Sequence, residues 1–320
     1  MTMRGFVAAA LLALCGCVAC RDRIEVCHGV DFSDDHRLFR IASVSKLMLE
    51  PVLWKLEDDG TIDFDRPVTS YFKDPLPVEF ASVTLRDLHD NRSGLPREFI
   101  DPWSLSDMCT VAASGLVGAN LYAAFDSRAS FVRKLWDPRV RGDVRRKVPR
   151  YSNMGYVLLM MAITDRLGLT AEELCQKHLV EPYGLTDTTF AEDLSRYGER
   201  LTRPCAGALP WLYPAGCLVA DHRGGTVTHL AGGMVSSAAD VLKVCRAILP
   251  RVARARGILE SRVTADGRTL LYRYGMIYGG HSFVGFDPEG GHVAVILKNV
   301  TCWNAEEGFD LLLKGTPKRP

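Results

Sequence analysis

The sequence lacks the features that define several large classes of protein. Its 320 residues contain no apolar run of about 18, the length that a membrane-spanning helix needs. The 39 Lys and Arg residues almost equal the 38 Asp and Glu residues, so the charge excess typical of nucleic-acid-binding proteins is missing and no nucleic-acid partner is expected. The histidines form no H-E-x-x-H pattern and the cysteines after Cys20 show no C-x-x-C spacing, so we expect neither a metal site nor a cofactor.

Residues 1–20 have the pattern of an export signal. Arg4 supplies a positive charge, and the apolar run over residues 6–14 is too short to span a bilayer. A small residue precedes Cys17 and another precedes Cys20, which resembles the lipid-attachment site of bacterial lipoproteins. We therefore expect export to the periplasm or cell envelope, with membrane attachment through a lipid on Cys17. The alternative is a plain cleaved signal with incidental cysteines.

The remaining residues, 21–320, predict one globular domain of the α+β class. Hydrophobic residues make up 47% of the chain, which is enough to form a buried core, and the 24% of charged residues is typical of globular domains. Apolar spacing predicts helices over 43–57, 156–167, 171–180, 237–249 and 306–314, and strands over 23–30, 270–278, 282–286 and 293–297. Together these elements predict an antiparallel sheet flanked by helices, with a mostly helical insertion over about residues 61–220. Pro51 is expected to kink or divide the first helix.

Ser43 and Lys46 are the first candidates for chemistry. Three residues apart at a helix start, they lie on one face, within hydrogen-bond reach of each other. A lysine whose pKa is lowered by burial or neighbouring charge can accept the serine proton. Taken alone, the pair is also compatible with a surface serine beside a solvated lysine.

Tyr151 and Asn153 are the second candidates, just before the apolar helix that starts at residue 156. A tyrosine near an ammonium group can act as an acid or a base, because the charge lowers the pKa of the phenol. The asparagine amide can orient both a lysine and a substrate amide. Taken alone, the segment is also compatible with a helix cap beside a packed aromatic ring.

Over about residues 36–315 the chain resembles the serine β-lactamase and penicillin-binding superfamily, in particular its class C β-lactamase, D-alanyl-D-alanine carboxypeptidase and esterase branch. Six segments carry the resemblance, in the family's order and at appropriate separations. They are F-R-I-A-S-V-S-K at 39–46, G-T-I-D-F-D-R-P-V at 60–68, S-G-L-P at 93–96, Y-S-N-M-G-Y at 151–156, E-P-Y-G-L-T-D-T at 181–188 and A-G-G-M-V-S-S-A-A-D at 231–240. The resemblance implies a β-lactamase/transpeptidase-like fold.

The family's third motif, K-T-G or H-x-G, is altered in this chain. Counting back without gaps from residues 282–288 places it at Arg273, Tyr274 and Gly275, which is the preferred placement. Arginine stays protonated and can bind a substrate carboxylate, and glycine lets a ligand approach the strand closely. A second placement, beginning at His281, restores a histidine but loses the glycine and requires a deletion.

The resemblance implies acyl transfer. Ser43 would attack an amide, ester or lactam carbonyl, and Lys46 and Tyr151 would move the proton, with the choice of base left open. The backbone N–H groups of Ser43 and Met276 would hold the oxyanion, while Asn153 and the third motif would bind the substrate.

The expected function is thus that of an exported serine hydrolase acting on a small molecule or peptide: a peptidoglycan-type peptide, a β-lactam or an ester. The alternative is a catalytically silent lipoprotein of the cell envelope that keeps the fold to bind a ligand. The intact Ser43, Lys46, Tyr151 and Asn153 favour the enzyme, and the altered third motif favours the binding protein.

Overall fold

The structure is a computed structural model that describes residues 23–27, 36–97, 128–190, 194–202, 230–255, 257–277, 280–299 and 305–314. The predicted export signal, and Cys17 with it, lies outside the described residues. Within the described residues, no individual helix is long and apolar enough to cross a bilayer. One pair of helical segments reaches the required length and hydropathy only when the two are counted together, with a bend of 81° between them: Asn153–Leu167 and Ala171–Tyr183.

Strands and helices are both present, which confirms the predicted α+β class. The strands are β1 (Arg23–Cys27), β2 (Phe39–Arg40), β3 (Val235–Ser236), β4 (Glu260–Val263), β5 (Thr269–Ile277), β6 (Gly280–Asp287) and β7 (His292–Lys298). The helices are α1 (Val44–Asp58), α2 (Leu85–His89), α3 (Arg128–Leu135), α4 (Pro138–Arg141), α5 (Asn153–Leu167), α6 (Ala171–Cys175), α7 (Glu181–Tyr183), α8 (Ala238–Ile248) and α9 (Ala305–Lys314). A π-helical turn covers Gln176–Val180, and 3₁₀ helices cover Val68–Ser70, Val78–Ser82, Val144–Arg146, Ser195–Arg200 and Leu249–Ala255.

The main sheet has five antiparallel strands in the order β1-β7-β6-β5-β4. A tight turn joins β6 to β7. Asp287 pairs with His292 across it, and Asp287 Oδ1 accepts a 2.8 Å hydrogen bond from the Gly290 N–H. Strand β4 pairs with β5 only as far as Tyr272. In the part of the chain that the structure describes, residues 273–277 therefore have no strand beside them on that edge.

Alternation along the strands divides the core into two layers. Leu271, Val284 and Val295 face the larger cluster, which contains α1, α5 and α8. Their neighbours Leu270, Phe283 and Ile296 face a smaller cluster completed by α9. The first face is therefore the one on which a side chain of β5 can meet the start of α1.

Helix α1 is continuous through Pro51, so of the two predicted effects, a kink or a division, the division is wrong. Twelve of the 15 residues of α1 are buried, and they cover the whole helix circumference. A proline inside a helix costs about 3 kcal/mol. Packing on all sides outweighs this cost, and the helix holds Ser43 and Lys46 at its buried start.

Candidate active site

Ser43 lies at the junction between an extended segment and α1. The residue before it, Ala42, has a φ of 46°, a left-handed conformation that is unfavourable for alanine and is found where the surroundings enforce it. The Ile41 N–H donates to the Met234 carbonyl at 3.1 Å, and Ser282 Oγ donates to the Ile41 carbonyl at 2.7 Å. The two hydrogen bonds fix the strained turn, so Ser43, the residue directly before α1, has a defined position.

Lys46 is fully buried one helical turn further on, with its ammonium group among oxygen atoms. Lys46 Nζ lies 3.3 Å from Ser43 Oγ, 2.9 Å from the Tyr151 phenol oxygen and 2.8 Å from Asn153 Oδ1. The ammonium also donates to the Ala231 carbonyl. Residues from three parts of the sequence thus meet at one cation.

Tyr151 completes the triangle with Ser43 and Lys46. Its phenol oxygen lies 2.7 Å from Ser43 Oγ, and its hydroxyl donates to Asn153 Oδ1 at 2.8 Å. Either oxygen can be the donor in the contact between Ser43 and Tyr151. When the phenol proton is donated to Asn153 or has left, the Ser43 hydroxyl can donate to the phenol oxygen.

The acidity of Tyr151 follows from its neighbours. Burial raises the pKa of this phenol, but the positive charges of Lys46 and Arg273 and the hydrogen bonds from Lys46 and Ser43 outweigh burial. The net result is a pKa lowered from the ordinary 10 to about 8. A phenol with this pKa can give up and regain its proton near neutral pH.

Gly275 of β5 lies against the start of α1. A Cβ atom at this position would lie 2.4 Å from the Ile41 carbonyl oxygen, 2.3 Å from Ser282 Oγ and 3.0 Å from the Ser43 nitrogen. No side chain fits at such distances, so glycine is required for the strand to reach the serine. Met276 follows directly and is paired with His281 on β6.

Arg273 lies on the same face of β5, where it contacts Tyr151. Its guanidinium carbon is 4.7 Å from the centre of the Tyr151 ring, and its Nη1 donates to the Ile258 carbonyl at 2.8 Å. The residue as a whole is only 5% exposed. The structure thus places this cation against the phenol ring, whereas the sequence predicted a carboxylate-binding group open to substrate.

Tyr274 points to the opposite face of β5, so its assignment to substrate binding is corrected. Its ring packs in the smaller cluster, 5.2 Å from the ring of Phe283 and 6.0 Å from that of His281. His281 lies on this far face as well, which removes the alternative placement of the third motif. Side chains alternate along a strand, so Arg273 and Gly275 reach the site and Tyr274 does not.

Two residues beside Tyr151 were not predicted from the sequence to belong to the site. Arg97 follows the S-G-L-P turn, and its guanidinium carbon lies 5.5 Å from the centre of the Tyr151 ring. Asn91 precedes the same turn and bonds to the backbone on both sides of Tyr151. Elsewhere in the described residues, no three His, Cys, Asp or Glu side chains are grouped to hold a metal ion.

Comparison with known proteins places this arrangement in a family. The β-lactamase family model matches residues 28–314. The chain is 28% identical over 186 residues to the D-alanyl-D-alanine-carboxypeptidase/endopeptidase AmpH of Escherichia coli (strain K12), covering 53% of this chain and 42% of that protein. It therefore spans less than half the length of this curated relative.

Solved structures share the fold. The β-lactamase/D-alanine carboxypeptidase from Yersinia pestis, complexed with citrate, is 18% identical with a TM-score of 0.63, over 88% of this chain and 83% of that one. The D-amino acid amidase from Ochrobactrum anthropi SV3 is 21% identical with a TM-score of 0.64, over 91% and 94%. The class C β-lactamase from Rhodobacter sphaeroides is 18% identical with a TM-score of 0.58, over 87% and 85%.

The sequence resemblance, the fold and the family match all agree. The family and its neighbours are serine hydrolases, which supports a hydrolase in general terms. The chain belongs to the β-lactamase family, within the superfamily of serine β-lactamases and penicillin-binding proteins.

Proposed function

We propose that this protein is a serine hydrolase that forms an acyl-enzyme on Ser43. The observation that carries the proposal is the closed triangle of Ser43, Lys46 and Tyr151, with contacts of 2.7, 2.9 and 3.3 Å among one hydroxyl, one phenol and one ammonium group. A nucleophile in hydrogen-bond contact with a base, which is itself oriented by a third group, is the arrangement that covalent catalysis requires.

In the proposed acylation step, Ser43 Oγ attacks the carbonyl carbon of an amide, ester or lactam. Its proton passes to the deprotonated form of Tyr151, because the phenol oxygen is closer to Ser43 Oγ than the Lys46 nitrogen is and has a pKa of about 8. Tyr151 then gives that proton to the leaving nitrogen or oxygen as the bond to the carbonyl carbon breaks. Lys46 stays charged and stabilises the phenolate.

Two further parts of the proposed mechanism are the binding of the oxyanion and the hydrolysis of the acyl-enzyme. The backbone N–H groups of Ser43, at the start of α1, and of Met276 would bind the oxyanion. A water molecule would then attack the ester of Ser43, giving its proton to Tyr151, and the proton would return to Ser43 as the acid departs. Asn153 Oδ1 accepts from the Lys46 ammonium group, and from Tyr151 whenever the phenol carries its proton, which keeps the two groups aligned.

The proposed substrate is a small amide or ester. The candidates are a peptidoglycan-type peptide, a β-lactam and a carboxylic ester. The relatives support an amide more than a lactam alone, since their names include a D-alanine carboxypeptidase and a D-amino acid amidase. The buried Arg273, bonded to Ile258, leaves fewer free groups for a substrate carboxylate on β5 than the family's third motif would supply.

Covalent labelling tests the acyl-enzyme. Parent protein and Ser43→Ala are incubated with a fluorescent fluorophosphonate and a fluorescent penicillin, and the adduct is located by mass spectrometry of the digested protein. We expect label on Ser43 in the parent and none on Ser43→Ala, because only the parent has the nucleophile. Absence of any adduct from the folded parent would instead support the silent binding protein.

We also propose that the protein works in the cell envelope, held by lipid on Cys17. The support is the apolar run over residues 6–14 followed by a small residue and a cysteine. Expressed with radiolabelled fatty acid, the parent and Cys20→Ser should incorporate label and Cys17→Ser should not. Equal incorporation by the parent and Cys17→Ser would refute the assignment.

A further inference from the structure

Asn91 holds the backbone on both sides of Tyr151. Its carbonyl oxygen accepts the Arg150 N–H at 2.8 Å, and its side-chain Oδ1 accepts the Ser152 N–H at 3.0 Å. The residue has a φ of 56°, a left-handed conformation that asparagine tolerates better than most residues. One residue thus bonds to the peptide groups before and after the phenol whose oxygen contacts Ser43.

The same side chain also reaches the segment that fixes Arg273. Asn91 Nδ2 donates to the Gly257 carbonyl at 3.2 Å, and the next carbonyl, that of Ile258, accepts the hydrogen bond from Arg273 Nη1 at 2.8 Å. Gly257 packs so closely on Asp90 that a Cβ atom there would lie 2.0 Å from Asp90 Oδ1. Through one amide, Asn91 therefore fixes both the phenol and the segment that anchors the neighbouring guanidinium group.

A largely buried ionic cluster contains the two residues that precede Asn91. His89 Nε2 is 2.8 Å from Glu50 Oε1, and His89 Nδ1 is 2.6 Å from Asp90 Oδ1. Glu50 is fully buried on α1, one turn beyond Lys46, so the cluster ties the helix of the nucleophile to the residue preceding Asn91. Burial lowers the pKa of His89, but the two carboxylates outweigh it and raise the pKa to about 10. The imidazole is therefore charged at neutral pH and bridges both acids.

We propose that Asn91, supported by the cluster of Glu50, His89 and Asp90, is a positioning residue for the reaction and acts through Tyr151 and Arg273. The side-chain and carbonyl hydrogen bonds of Asn91 go to the Gly257 carbonyl and to the N–H groups of Arg150 and Ser152, so its role is to hold the groups that contact Ser43 and Lys46. The distance between the phenol oxygen and Ser43 Oγ, and the distance between the phenol ring and the guanidinium group, both depend on it. The inference rests on the acyl transfer proposed above.

The test compares two substitutions that remove the same side-chain hydrogen bonds. Asn91→Gly accepts the positive φ without strain, whereas Asn91→Ala adds strain at that φ. If Asn91 positions Tyr151, both variants show the same fall in kcat, about 10- to 100-fold, with a smaller change in KM. The two variants should differ only in melting temperature, which should be lower for Asn91→Ala than for Asn91→Gly.

A structural control and a second readout complete the design. Thr170→Ala removes the capping box at the start of α6, which also consists of side-chain bonds to backbone N–H groups, and we expect a lower melting temperature with parent kcat. Titration of the Tyr151 phenolate by ultraviolet absorbance, taken as the difference from Tyr151→Phe, should give a higher midpoint in Asn91→Gly than in the parent. This titration needs no substrate, so it tests Asn91 even if the acyl-enzyme proposal fails.

Two outcomes would overturn the inference. The first is an Asn91→Gly variant with the kcat and phenolate midpoint of the parent, whatever its melting temperature. The second is a loss of kcat in Thr170→Ala that equals the loss in Asn91→Gly, because this would mean that lowered stability alone explains both.

Discussion

Lys46→Met is expected to lower kcat/KM for hydrolysis by about 10²- to 10⁴-fold, the usual contribution of a group that assists proton transfer. Methionine is close to lysine in length but has no N–H group, so it loses the polar contacts that the ammonium group makes with Ser43, Tyr151, Asn153 and the Ala231 carbonyl. It also removes the charge that lowers the pKa of Tyr151 most. Both effects act in the same direction, since the phenol loses its alignment and is less often deprotonated at neutral pH.

The matched control for Lys46→Met is the same substitution on the same helix at Lys55. That lysine is exposed and pairs with Asp59 one turn away, a surface pair worth less than about 1 kcal/mol. Lys55→Met should therefore keep parent kcat/KM. Rates for Lys46→Met within about twofold of the parent, measured on folded protein with the same substrate, would contradict the proposed mechanism.

The sequence was most informative where chemistry depends on local spacing. Ser43 and Lys46 are one helical turn apart, so their proximity follows from helix geometry alone. The apolar pattern of residues 43–57 predicted the helix that the structure shows at Val44–Asp58, although it could not show that packing would keep Pro51 inside that helix. Burial on all sides is a property of the whole fold, which no local window contains.

The altered third motif shows where local reasoning was incomplete. A strand at this position puts Arg273 and Gly275 on one face and Tyr274 on the other, so the two-residue period alone could have removed Tyr274 from the site. The hydrogen-bond partner of the Arg273 guanidinium group could not be predicted from strand alternation. Its partner, the Ile258 carbonyl, lies in a segment whose path depends on Gly257 and Asn91.

Asn91 was missed because its importance is entirely non-local. Its partners lie about 60 and 166 positions away in the sequence. The one local signal, an asparagine in a left-handed conformation, is common in turns that have no function. Only the structure shows that this turn lies between the phenol and the segment that binds the arginine.

The contact between Arg273 and Tyr151 suggests, within the proposed mechanism, a role for an arginine in place of the family's lysine or histidine. An arginine cannot exchange its proton at ordinary pH, so it cannot act as an acid or a base here. What it supplies is a permanent charge 4.7 Å from the centre of the phenol ring. In the proposed mechanism, the altered motif keeps an electrostatic effect on Tyr151, and the proton transfer is left to Tyr151 itself.

The pH dependence of activity should reveal this electrostatic effect. We expect kcat/KM of the parent to rise with pH through a midpoint near the Tyr151 pKa of about 8, because the deprotonated phenol is the form that accepts the serine proton. In Arg273→Met the phenol loses one of the two charges that lower its pKa, so the midpoint moves upward, toward the ordinary 10. At pH 7 the activity then falls about tenfold for each pH unit of that move.

Two further variants separate charge from structure in the Arg273→Met result. Arg273→Lys keeps a cation on the same face of β5 and should hold the midpoint closer to the parent's than Arg273→Met does. Arg262→Met removes a guanidinium group that contacts Glu306 and the Phe309 ring, so the parent profile should be retained. An Arg273→Met profile that falls at every pH with an unchanged midpoint would show that the arginine acts only by packing. In that case the low pKa of Tyr151 would have to depend on Lys46 without help from the altered third motif.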